Sequence, residues 1–162
     1  GVMVEVPSAI YQARALARRV DFLSVGSNDL TQYLLAVDRN NPRVADLYQD
    51  MHPAVLGAIR FVVDQARAED TRIGICGEIA GDPAAAVLLT AMGLDVLSMN
   101  APNLPRVKWT LRSIGLDDAR ELLEEALSFS SAEEVVEFMR NALGERGLGR
   151  VVRPDSRLVS VA

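Results

Sequence analysis

The chain has 162 residues, 49% of them hydrophobic and 24% charged, with a net charge of −5. That is enough for one domain with a full core, and the balance is that of a globular chain rather than a disordered one. No apolar run nears the roughly 18 residues that span a bilayer, no basic-apolar leader opens the sequence, and the mild acidity argues against a nucleic-acid surface while permitting a local basic pocket.

Cys76 is the one cysteine and His52 the one histidine. An internal disulfide is therefore impossible, and a reducing cytoplasm is the expected compartment.

In chain order, the first apolar run is Val2-Met3-Val4, ending at Glu5. Residues 9–19 follow with apolar positions three and four apart, which predicts a helix. Phe22-Leu23-Ser24-Val25 is the second run, ending in Gly26-Ser27-Asn28-Asp29, with a helix expected from Leu30. His52-Pro53 opens a helix over 53–68, because proline suits the first helical turn and His52 serves as a polar entry residue. Ile73-Gly74-Ile75 is the third run, ending in Cys76-Gly77-Glu78. Asp82-Pro83 then caps a helix over 84–92. Val96-Leu97-Ser98-Met99 is the fourth run, ending at Asn100, with a helix over 104–113 behind it. Two more helices are expected, over 117–127 and from the capping box at Ser131 to about 143, before Gly144, Gly147 and Gly149 interrupt the pattern. The final VVRPDSRLVSVA fits a short strand, a tail or a partner-binding segment.

The four runs are nearly continuous rather than alternating, as in parallel strands buried on both faces. Strands alternating with helices predict βαβ units with right-handed crossovers, hence an α/β fold. Every run also ends in polar chemistry at its C-terminal side, the edge where parallel α/β folds assemble their sites.

Glu5 and Asp29 would stand on adjacent strand ends. Two close carboxylates repel unless a cation bridges them, and a hard divalent ion with oxygen ligands, such as Mg2+, is the simplest bridge. Alternatively, Glu5 pairs with an arginine and Asp29 caps a helix. Asn28 offers an amide donor, and Gly26 and Ser27 offer backbone N–H groups to an anion. Arg39 supplies a fork for carboxylate or phosphate, or else an ion pair with Asp38 or Asp46. Cys76 is either a small packed hydrophobe or a proton donor. An ordinary thiol, pKa about 8.5, is almost wholly protonated at pH 7 and serves better as an acid than as a nucleophile.

The stretches "VMVEVP", "VDFLSVGSNDLTQYLLAVDRNN", "HPAVL", "CGEIAGDP" and "GLDVLSMN" resemble, in order and spacing, the C-terminal barrel of enzyme I of the bacterial phosphoenolpyruvate-dependent phosphotransferase system. The nitrogen-regulatory type is the nearer resemblance, through "SVGSNDLTQYLLAVDRNN", "LSMN" and "GLGRVVR". It implies Mg2+-dependent phosphoryl transfer from phosphoenolpyruvate to an enzyme histidine and on to a histidine-containing phosphocarrier protein. Glu5 and Asp29 match the family's metal ligands, and Asn28, Asp29 and Arg39 its substrate contacts. Cys76 matches the acid that protonates the enolate as pyruvate forms.

His52 does not match the phosphorylated histidine, which in this family lies in a separate domain. A (β/α)8 barrel takes about 250 residues, so four β/α units imply its C-terminal half. The expected division is 1–115 for that half barrel, 116–143 for a helical pair packed on it, and 144–162 for a glycine-rich turn and tail. The resemblance further implies a homodimer and a chain that does not complete the transfer alone. Pyruvate phosphate dikinases and phosphoenolpyruvate synthases share much of this motif set. A metal-dependent pyruvate aldolase and a non-catalytic dimerisation or regulatory fragment are the other readings.

Overall fold

The computed structural model of the chain describes residues 1–152. Strands form at the four apolar runs: β1 (Val2–Val4), β2 (Phe22–Gly26), β3 (Arg72–Cys76) and β4 (Val96–Ser98). They are parallel and lie side by side in sequence order. The register sets Val4 beside Val25, Gly26 beside Cys76, and Cys76 beside Ser98, so the C-terminal ends finish nearly level.

The expected helix over 9–19 is in fact two, α1 (Pro7–Tyr11) and α2 (Ala13–Ala17). Between them Gln12 tightens the turn, its N–H bonding to the Ala9 carbonyl three residues back at 3.2 Å. Helix α3 (Ser27–Leu35) leaves the end of β2 with no linker. Helix α4 (Pro53–Arg67) starts as its sequence suggests: Pro53 fills the first turn, and His52 Nδ1 accepts the Ala54 N–H at 3.1 Å. Helix α5 (Pro83–Met92) is capped by Asp82, whose carboxylate accepts the Ala84 and Ala85 N–H groups, each at 2.8 Å. Almost all of α5 is buried, as expected of a helix apolar all round. Around it pack α6 (Leu104–Arg112), α7 (Leu116–Ala126) and α8 (Ala132–Glu145).

The capping box at the start of α8 is present, with Glu134 accepting the Ser131 N–H and Ser131 accepting the Glu134 N–H. Gly144 does not interrupt this helix, which runs on to Glu145. A glycine inside a helix costs only about 1 kcal/mol, and the buried neighbours Leu143 and Leu148 hold the segment down. Gly149 opens the short α9 (Gly149–Val152). Beyond Val151 and Val152, the expectations for the C-terminal dozen lie outside the described residues.

Burial alternates along the strands. Val4, Leu23, Val25, Ile73 and Ile75 face the helices and are sealed, whereas Met3, Phe22 and Val96 on the opposite face stand about half exposed at 49%, 51% and 50%. The expectation that both faces are buried is therefore corrected: among the described residues, helices cover one face only. The bare face forms a groove lined by Phe22, Ser24, Arg72, Gly74, Val96 and Ser98.

The N-terminal edge of the sheet is tied by charge. Arg14 and Arg18 bracket Glu69 at 2.6 and 3.0 Å and hold its carboxyl down at about 2. Asp95 accepts the Ile73 N–H at 2.8 Å and pairs with Arg67 at 2.7 Å. Burial works against its charge, but those two partners outweigh it and its carboxyl titrates below the ordinary range. Among the described residues no helix is long and apolar enough to cross a membrane.

Candidate functional site

The opposite, C-terminal edge carries polar groups held by hydrogen bonds rather than by charge pairs. Glu5 follows β1, and its carboxylate lies against Gly26. A Cβ on Gly26 would stand 2.9 Å from Glu5 Oε2 and 3.1 Å from Met3 Sδ, so a side chain there would press on both and displace the Glu5 carboxylate. Among the described residues Glu5 forms no ion pair with an arginine.

Because α3 starts at Ser27 rather than at Leu30, Asn28 and Asp29 belong to its first turn. Asp29 is therefore not its cap. Gly26 occupies that place with no side-chain bond, and Asp29 instead sets a negative charge where the helix dipole favours one. Asn28 Oδ1 accepts the Glu78 N–H at 3.1 Å, which leaves the Asn28 Nδ2 protons to serve a ligand. Ser27 Oγ donates to the Cys76 carbonyl at 2.8 Å, and the Cys76 thiol lies 3.6 Å from the Val25 carbonyl.

Asn28, Cys76, Glu78, Ser98, Asn100 and Asn103 line one groove of about 290 Å3. The ends of β2, β3 and β4 thus share a space. Of the other expected site residues, Glu5, Asp29 and Arg39 are not part of its lining.

Arg39 is exposed on the loop after α3, where its backbone N–H bonds to Gln32 Oε1 at 3.3 Å. Its guanidinium makes no ion pair with Asp38 or Asp46 among the described residues. Its field reaches Tyr48, whose hydroxyl bonds to the Asn28 carbonyl at 3.4 Å. Burial raises the Tyr48 phenol above its ordinary value and Asp50 adds to this, against the pull of Thr31 and Arg39. The fully buried Thr31 hydroxyl lies beside Tyr48 without a hydrogen bond of good geometry. Burial also raises the Asp50 carboxyl, with Asp82 and Glu78 adding repulsion.

Sequence reasoning missed Tyr48 and Asn103. Neither stands at a strand end, and the Tyr48–Asn28 contact joins residues 20 apart. A larger cleft of about 400 Å3, lined by Asp50, Asp82, Arg106 and Arg140 among others, lies next to the groove and shares Gly81 and Asn103 with it. The smaller groove is the one onto which the strand ends open.

No group of three or more His, Cys, Asp or Glu side chains is placed to hold a metal among the described residues. Mg2+ needs fewer, since it takes one or two carboxylates and fills its other positions with water and substrate oxygens. Glu5 lying against Gly26 and Asp29 in the first turn of α3, neither joined to a basic side chain among the described residues, fit that donor set.

Residues 1–116 match the family described as PEP-utilising enzyme, PEP-binding domain. A phosphoenolpyruvate-protein phosphotransferase of Haemophilus influenzae is 49% identical over 148 residues, 91% of this chain and 26% of that protein. A "phosphoenolpyruvate-dependent phosphotransferase system" protein of Salmonella typhimurium is 44% identical over 94% of this chain and 20% of its own length. A multiphosphoryl transfer protein of Xanthomonas campestris is 49% identical over 83% of this chain and 16% of its own. The chain thus spans about a quarter or less of these relatives. Four parallel strands whose polar ends meet at one edge, with a family match running through all of them, lead to one assignment: the chain belongs to the PEP-utilising enzymes, in the family of their PEP-binding domain.

Proposed function

We propose that this chain is the C-terminal half of the (β/α)8 barrel of a cytoplasmic phosphoenolpyruvate–protein phosphotransferase, where phosphoenolpyruvate gives up its phosphoryl group. In this reading residues 1–115 are the half barrel, 116–143 a helical pair packed on it and 144–162 a turn and tail. The nitrogen-regulatory type rests on "SVGSNDLTQYLLAVDRNN" and "GLGRVVR". A histidine outside these residues takes the phosphoryl group and hands it to a phosphocarrier protein.

Each residue has a role. Arg39 and the Asn28 amide bind the anionic oxygens of the substrate and orient it. Glu5 and Asp29 would hold Mg2+, which when bound offsets negative charge on the phosphoryl group and the enolate. The Cys76 thiol delivers its proton to the methylene carbon of the enolate, giving the methyl group of pyruvate, and recovers a proton from water. The observation that carries this reading is the shared groove, with the Asn28 amide oriented by Glu78 and the Cys76 thiol on its wall.

Titration calorimetry with Mg2+ and oxalate, a planar dianion shaped like the enolate, tests it. The chain alone is expected to bind weakly and to leave the phosphocarrier unphosphorylated. Joined to the upstream half of the barrel from a relative, it is expected to bind at least tenfold tighter, the gain of about 1.4 kcal/mol that added phosphate-gripping side chains supply. Normal carrier phosphorylation by the chain alone would overturn the half-barrel assignment.

The sheet face left bare and the two strand edges left unpaired among the described residues favour self-association. Light scattering after gel filtration is expected to give twice the 17.6 kDa of one chain. A monodisperse monomer would remove the homodimer from the proposal.

A further inference from the structure

We propose that Ser27 is the positioning residue for Cys76: its buried hydroxyl ties the first turn of α3 to the Cys76 carbonyl and so fixes where the thiol stands. Ser27 is 1% exposed, and its Oγ donates to that carbonyl at 2.8 Å across 49 residues of sequence. A serine in a first helical turn commonly spends its hydroxyl on local backbone. Here it reaches another strand instead, while α3 begins with no side-chain cap at all.

The thiol is held from the same junction. Cys76 Sγ lies 3.6 Å from the Val25 carbonyl, two residues before Ser27, so the residue is gripped through both its side chain and its backbone. Gly77 completes the clasp, because its missing side chain leaves room for the Ser27 hydroxyl and the Asn28 amide. The tie therefore couples the anion-facing turn of α3 to the proton donor on β3. A change at one is transmitted to the other through the Ser27–Cys76 hydrogen bond, with the Asn28–Glu78 bond beside it.

Thr31 provides a built-in comparison. It lies one turn further along α3, is equally buried, and its hydroxyl makes no well-formed hydrogen bond.

The functional meaning of this tie rests on the proton-donor role proposed for Cys76, but the tie itself is readable without substrate. Cys76 is the only thiol, so its rate of reaction with a disulfide reagent such as Ellman's reports its setting directly. The rate is measured on the intact chain, the Ser27→Ala variant and the Thr31→Val variant, at a temperature below the melting of the parent chain. Ser27→Ala is expected to react about fivefold faster, the factor that one hydrogen bond carries. Thr31→Val is expected to stay within about twofold of the parent, since the Thr31 hydroxyl lies beside Tyr48 and makes no hydrogen bond to β3. Equal rates for Ser27→Ala and the parent overturn the proposal. So does an equal rise in Thr31→Val, or a Ser27→Ala chain that is globally unfolded, because a positioning tie acts locally. None of these outcomes depends on whether Cys76 turns out to protonate an enolate.

Discussion

Cys76→Ala, in a chain joined to the upstream half of the barrel, is expected to slow exchange of solvent deuterium into the methyl group of pyruvate by about two to four orders of magnitude, the range that one positioned proton-transfer group supplies. The only thiol of the chain stands on the wall of the groove it shares with Asn28. His52, the only histidine, caps α4 through Nδ1 and does not line this groove. Among the other groove residues, the side chains of Ser98, Asn100 and Asn103 are not acids at neutral pH. Binding of Mg2+ and oxalate is expected to change less than about threefold, since in the proposed reading Cys76 acts on carbon and not on the anionic oxygens. Proton-exchange NMR of pyruvate checks the first expectation and calorimetry the second. Exchange at the parent rate in Cys76→Ala would instead favour aldolase-like chemistry, in which the metal acts without a thiol acid.

What could be read from the sequence divides along a physical line. The Asp82 and Ser131 caps and the proline-led helices come from interactions spanning four residues or fewer, and the strands show as short apolar runs, so composition and spacing suffice to find them. The start of α3 was misplaced for the same reason. Asn28-Asp29 looks like a local capping signal, yet the helix begins at Ser27 on an uncapped glycine, because the Ser27 and Asn28 side chains serve β3 and the loop after it. Which residues meet in the groove depends on contacts between positions about 50 apart, and no periodicity encodes these. The exposed sheet face does not show in the apolar runs themselves. Met3, Phe22 and Val96 are as apolar as the core, and only the expectation of a half barrel implies that an apolar face is left bare.

The second large effect concerns Gly77, where fold and site depend on one missing methyl group. Its φ of 126° with ψ of −176° lies in a region open essentially to glycine alone. A Cβ there would collide with the Ser27 hydroxyl and stand 2.8 Å from Asn28 Oδ1. Gly77→Ala therefore combines backbone strain of about 1–3 kcal/mol with an overpacking cost of about 1–3 kcal/mol. The expected loss is about 3 kcal/mol, a fall in melting temperature of about 6–12 °C for a chain of this size. Calorimetric melting measures it. Gly57→Ala is the matching control: that glycine is inside α4 with nothing within 4 Å of an added Cβ, so alanine is expected to raise stability by about 0.5–1 kcal/mol. Two glycine-to-alanine changes of opposite sign would show that the residue after Cys76 is kept bare to let α3 close onto β3. If Gly77→Ala melts like the parent, the backbone there can relax without cost, and the clasp between Ser27, Asn28 and Cys76 is not what shapes the groove.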